Sequence, residues 1–170
     1  MSGPQQLGRA VAAVGAALVV GTVHAPVATA APVGKAPTGW AALNNAIARI
    51  PTYQSGAATW VVSSAYDYWG TADWYNDVLY VAPSVPVERL YDVAVHEWSH
   101  ELSVLDYGGN VAKAKHAMNA FFGGSGLVGA ERAADCMAIL QGATWTHYTT
   151  CRSTKWRAGA RRLVHGHKLL

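Results

Sequence analysis

The chain reads as an α+β domain, and three features of the sequence carry that reading. Two short β-branched runs, residues 59–63 (TWVVS) and 77–82 (DVLYVA), come early. Longer stretches with apolar residues at helical spacing follow them, and strands grouped ahead of helices belong to α+β domains rather than to alternating βαβ units. The third feature is size: 170 residues, 51% hydrophobic and 14% charged, suffice for one packed core and exclude an intrinsically disordered chain. Seven Trp and eight Tyr against two Phe predict many aromatic positions that keep one edge wet.

Residues 1–30 are set apart from that core. Arg9 is the only charge before Lys35, and residues 10–23 are Ala, Val, Gly and Leu with one Thr. A run of about fourteen is too short to cross a hydrocarbon layer of ~30 Å as a helix. Small residues at Ala28-Thr29-Ala30 then complete the pattern of a cleaved secretory signal, with Ala31 as the mature N-terminus. Residues 31–170 are therefore expected to form one secreted domain with no transmembrane span.

Within it, residues 31–39 are rich in Pro and Gly and read as a loose leader. Residues 40–50 (WAALNNAIARI) have helical spacing and stop at Pro51. The first strand, 59–63, is followed at 67–77 by aromatics, Gly and Asp, read as a hairpin connection or an irregular loop. The second strand, 77–82, stops at Pro83. Pro86 opens a helix expected over 87–105, a stretch without Gly or Pro, which Gly108-Gly109 closes. Further helices are expected over 111–122 and 127–141, separated by Gly123-Gly124-Ser125-Gly126, and a last one in the tail.

The two cysteines, Cys136 and Cys151, fit an exported chain, where an oxidising environment pairs them. Neither sits in a CxxC pair, which argues against thiolate metal ligands. All ten acids lie between Asp67 and Asp135, and six Lys and Arg follow with no further acid. That basic tail could touch an anionic cell-wall polymer. The plainer reading is a solvated helix face, because Trp156, Ala160, Leu163 and Val164 recur at helical spacing. No nucleic-acid partner is expected.

The chemistry is concentrated in His96-Glu97-Trp98-Ser99-His100. A hydrolytic zinc site needs two neutral imidazoles on one side of the ion and a carboxylate beside its water; His at i and i+4 and Glu at i+1 of a helix supply them. From this chain's His and Glu content the pattern arises by chance with a probability on the order of 1%. At ~100° per residue, His96, Glu97 and His100 share a sector with Val93 and Val104, while Tyr91, Ala94, Val95, Trp98, Leu102 and Leu105 occupy the opposite one. Such a helix suits the floor of a cleft.

Two residues compete as third ligand. Glu131 opens Glu131-Arg132-Ala133-Ala134-Asp135-Cys136, and Asp135 lies one turn on, where it could accept a proton from a ligand imidazole. Ala134 and Ala138 share that face and would let two helices approach closely. Asp106 lies six residues beyond His100, the position used by HExxHxxGxxH/D enzymes. Those enzymes need Gly where this chain has Ser103, because the chain must turn sharply there, so Glu131 is favoured.

HEWSH followed by ERAADCMA resembles the Glu-liganded zincins, or gluzincins, and the ExxADCxA run is particularly similar to a bacterial group of neutral zinc metallopeptidases. The resemblance covers about forty residues between Val87 and Leu140. It implies a zincin-like fold with a small sheet, a helical half and the HExxH helix at the cleft floor. It also implies Zn2+ on His96, His100 and Glu131, Glu97 as catalytic carboxylate, and Asp135 orienting a ligand His. The strand at 77–82 becomes a candidate edge for an extended peptide substrate. The expected activity is peptide-bond hydrolysis, with His116, His147, Tyr148 and Tyr107 as candidate donors to the developing oxyanion. Two other readings stand beside it: a zincin-fold metal-binding protein without turnover, and a basic, wall-associated protein that is not an enzyme.

Overall fold

The computed structural model describes residues 40–170, so the expected signal segment and leader lie outside the described residues. Helix α1 (Ala41–Ala48) forms where the spacing puts it, burying Leu43, Ala46 and Ile47 before Pro51 ends the run. Three four-residue strands follow: β1 (Thr59–Val62), β2 (Gly70–Asp73) and β3 (Val78–Val81). Their order is β1-β3-β2, with β1 parallel and β2 antiparallel to β3. Trp60, Leu79 and Val81 point into the core, as period-2 alternation requires.

The sheet corrects two expectations. The stretch taken as a connection contains β2, whose sequence Gly-Thr-Ala-Asp has too little β-branched character to declare itself and becomes a strand by pairing Gly70–Asp73 with Val81–Val78. The strand at 77–82 is central, not an edge, because β1 and β2 flank it on both sides. The edge available to a ligand beside the site is that of β2.

A 3-10 turn (Val87–Arg89) leads into α2 (Leu90–Asp106), which packs against the sheet and against every other helix. Thirteen of its seventeen residues are buried, so the sector carrying the histidines is covered as well as the apolar one. Beneath it, Trp98 is fully buried and donates from Nε1 to Thr52, whose hydroxyl donates to Gln141. Gln141 in turn donates to Ser99, which closes a buried polar chain with partners at each step. Ser103 bonds back to the Ser99 carbonyl, and the helix runs straight through it to Asp106.

Helices α3 (Val111–Phe122), α4 (Val128–Leu140) and α5 (Thr154–Val164) complete the fold, with Asn110 and Ser153 as N-caps of α3 and α5. Gly129 lets α4 touch α3: a Cβ there would lie 2.4 Å from the Asn119 Cα. Ala130, Ala133, Ala134 and Ala138 are all buried, and these small side chains bring α4 against α2. A disulfide joins Cys136 on α4 to Cys151, just before α5. Helix α5 buries Gly159, Ala160 and Leu163 and turns Arg157 and Arg161 outward. No described helix is long and apolar enough to cross a membrane.

Candidate metal centre

The i, i+4 spacing on α2 brings the rings of His96 and His100 to a centroid distance of 4.9 Å. Glu131, in the first turn of α4, reaches between them. Its Oε2 lies 3.1 Å from His96 Nε2 and 3.2 Å from His100 Nε2. One donor atom from each of the three falls within 4.8 Å of the others, a group that could hold a metal ion. Donors 2.0–2.1 Å from a tetrahedral zinc stand ~3.3 Å apart, so the spacing and the N2O donor set both suit such an ion. Asp106 takes no part: it ends α2, one carboxylate oxygen is buried without a partner, and burial pushes its pKa up to about 7.

The groups behind the triad are fixed in turn. Asp135, fully buried one turn after Glu131, accepts from His96 Nδ1 at 2.8 Å with Oδ1. Its Oδ2 accepts the backbone N–H groups of Tyr148 and Thr149 at 2.6 and 2.7 Å. That single carboxylate therefore orients a triad imidazole so that Nε2 could serve a metal ion, and it docks the 141–153 loop beside the site. The loop is tied twice more, through Thr144 N–H to Asp92 on α2 and through the disulfide.

Electrostatics follow from this packing. Burial disfavours a charged His96, but its hydrogen bonds to Asp135 and Glu131 push its pKa up to about 10. Burial likewise opposes a charged Glu131, yet His100 and His96 hold it well below the usual carboxylate range. A metal must therefore displace a proton from His96 to bind. Glu97 is buried beside the triad, and burial raises its pKa despite the neighbouring histidines. It lies against Gly70 of β2, where a Cβ would come within 2.2 Å of its carboxylate oxygen. Only glycine permits that approach.

The triad and Glu97 open into a cleft of about 930 Å³ between α2, α4, β2 and the 141–153 loop. Of the four expected oxyanion donors, His147 and Tyr148 line it, whereas Tyr107 and His116 do not. The Tyr107 hydroxyl accepts from Leu169 N–H instead, and His116 is exposed on α3. Tyr148 stacks at 6.0 Å on His96, and burial with the nearby carboxylates pushes its phenol up to about 12, so it keeps its proton.

Several residues of the site were not anticipated from the sequence. Trp74 packs its ring 5.2 Å from that of His100. Glu101, one turn beyond Glu97, is fully buried with both oxygens unpartnered, and burial together with Asp77 pushes it up to about 7. Tyr66, Tyr68, Trp69, Tyr75 and Trp145 line the cleft. For Tyr66, Tyr68, Trp69, Trp74 and Tyr75 the signal is the unusual density of aromatics at 66–75 (YDYWGTADWY), whose stretch 67–77 reads from sequence as a hairpin connection or an irregular loop. No family model, curated protein or solved structure matches the chain.

Proposed function

We propose that this protein is a zinc-dependent peptidase of the gluzincin type, zincin-like in fold. The observation that carries the reading is Glu131 Oε2 seated between the Nε2 atoms of His96 and His100, at 3.1 and 3.2 Å. Held by these three side chains, zinc would supply Lewis acidity toward a carbonyl oxygen and bring a water's pKa toward ~7. The protein's own groups do the rest. Glu97 accepts the proton of the attacking water and passes it to the departing amine, a transfer its raised pKa favours. Asp135 holds His96 in the tautomer that leaves Nε2 free. Tyr148, protonated at neutral pH and at the cleft wall, is the choice for donating to the developing oxyanion. The edge of β2 offers backbone groups to an extended peptide.

Export with cleavage between Ala30 and Ala31 belongs to the same reading, and the Cys136–Cys151 disulfide supports it, since such bonds persist in oxidising compartments. Sequencing the N-terminus of exported protein checks it; a start at Met1 overturns it.

Metal analysis combined with digestion of a mixed peptide pool tests the activity. Purified protein should carry one zinc per chain, cleave peptides, and lose cleavage to a chelator. Zinc without cleavage would favour a binding protein that lacks turnover. Protein that binds no zinc would leave the basic, wall-associated reading, with α5 as its contact surface.

A further inference from the structure

We propose that the cleft selects peptide segments carrying Lys or Arg close to the scissile bond, among apolar neighbours, and rejects anionic ones. This rests on the peptidase reading and adds the substrate class to it.

Asp67, Asp73, Asp92, Glu97, Glu131 and Asp135 are among the residues lining the cleft, and no Lys or Arg is, although the carboxylates of Asp92 and Asp135 are buried and already engaged. A divalent ion held by the triad would offset two of the charges nearest it. Arg89 pairs with Asp92 at 3.2 Å, and its guanidinium lies 5.7 Å over the Trp145 ring. Asp73 is taken up by the turn after β2, where it accepts from Tyr75 N–H and Asn76 Nδ2, which leaves Asp67, exposed at the rim, as the acid with no Lys or Arg lining the cleft beside it. The whole chain carries a net charge of +3, so this acidity belongs to the cleft and not to the protein at large. The cations that follow Asp135 sit on α5 and in the segments flanking it, and none lines the cleft.

The second observation is the aromatic rim. Tyr68 and Tyr75 are 70% and 82% exposed, and Trp69 lies 5.6 Å from Trp145. Aromatic faces attract ammonium and guanidinium groups and accept apolar side chains, but give no advantage to a carboxylate. The position is also apt. Asp67, Tyr68 and Trp69 directly precede Gly70, which lies against Glu97. A cationic side chain a residue or two from the cleaved bond therefore meets both the acid and the rings.

Two internally quenched peptides test this on the zinc-loaded chain: identical aromatic-containing sequences with Lys in one and Glu in the other beside the cleavage site. The Lys peptide should be cleaved with a kcat/KM at least about tenfold higher at low salt, and the ratio should shrink several-fold in 0.5 M NaCl as the charges are screened. Asp67→Lys, at an exposed position, should cut the ratio by about threefold. Equal cleavage, a preference for the Glu peptide, or a ratio indifferent to both salt and Asp67→Lys overturns the inference and leaves the peptidase reading standing. If neither peptide is cleaved although zinc is bound, the peptidase reading fails instead. Quenching of cleft Trp fluorescence by each peptide then decides the charge selection alone: tighter binding of the Lys peptide upholds it, and equal binding overturns it.

Discussion

The two walls of the cleft are built on different terms. The helical wall, α2 with α4 and the adjoining 141–153 loop, is over-determined: each triad group touches another, Asp135 has both oxygens engaged, and a disulfide fastens the loop's far end. The sheet wall is a four-residue edge strand flanked by exposed aromatics, touching the chemistry chiefly where Gly70 meets Glu97 and Trp74 meets His100. Positioning a metal and its proton acceptor requires sub-ångström constancy, which packed helices and shared hydrogen bonds provide. Accommodating a chain of variable side chains calls for broad, adaptable contact surfaces. On the proposed reading, chemistry would reside on the first wall and selection on the second.

Substitutions can break that contrast, and the largest effects should fall on the helical wall. Glu131→Ala should lose zinc on dialysis, while Glu97→Gln should keep zinc and fold yet lose about three orders of magnitude or more in kcat, because only the proton acceptor goes. Asp106→Ala, outside the triad, should retain zinc; loss from it and retention by Glu131→Ala would reverse the ligand assignment. Competition with a chromophoric chelator reads all three.

Asp135→Ala should weaken zinc by ~10–100-fold, the usual range for a group that orients a ligand. The remaining affinity should still rise with pH. In wild type the dependence is steeper, because a His96 pKa of about 10 leaves a proton to be displaced at neutral pH. Titrations at pH 6, 7 and 8 separate the two.

Opening the disulfide is a smaller perturbation. Closing a loop of this length stabilises by ~3 kcal/mol in the chain-entropy model, so Cys151→Ser should lower Tm by roughly 10 °C. Native wild type should titrate with no free thiol, since Cys136 and Cys151 are bonded to each other.

The smallest effect concerns Glu101, whose carboxyl is pushed up by burial and, secondarily, by the charge of Asp77 just ahead of β3. A folded pKa of about 7, above the ordinary carboxylate value, means the folded chain holds that proton more tightly than the unfolded one. Stability is therefore lost as pH rises from about 4.5 to 7, and the penalty persists above that window. Glu101→Gln should match wild type near pH 4 and exceed it by about 2–3 kcal/mol at pH 8 in urea titrations. A difference that is constant with pH would show that the carboxyl is not strained by its charge.

The elements with helical spacing and clear breakers were legible: residues 111–122 were expected and form α3 as such, and Ser103 continues α2 as its helix-competent run implies. Glu131 and Asp135 could be placed one turn apart on a helix made slender by alanines because all of that is local information. What stayed hidden depends on partners distant in sequence. Gly-Thr-Ala-Asp becomes β2 only by pairing with β3, and strand order cannot be read from three short runs. The helical wheel places Glu101 beside Glu97, but its full burial emerges only when the chain packs around α2. The aromatics of 66–75 advertise themselves in composition, yet their common wall exists only once the hairpin folds back over α2.

Asp135 has one further consequence. Its two oxygens tie the imidazole of His96 to the amides of Tyr148 and Thr149, so an ion held by the triad would share a thermodynamic link with the loop. Whatever free energy the docked loop lends to the ion, the ion must return to the loop, because coupling between two binding equilibria is reciprocal. The amide protons of Tyr148 and Thr149 thus become internal reporters: their exchange with deuterated solvent should slow on zinc loading by the same factor that loop docking adds to zinc affinity. A backbone stretch that touches no metal atom would then keep a record of occupancy, readable without substrate.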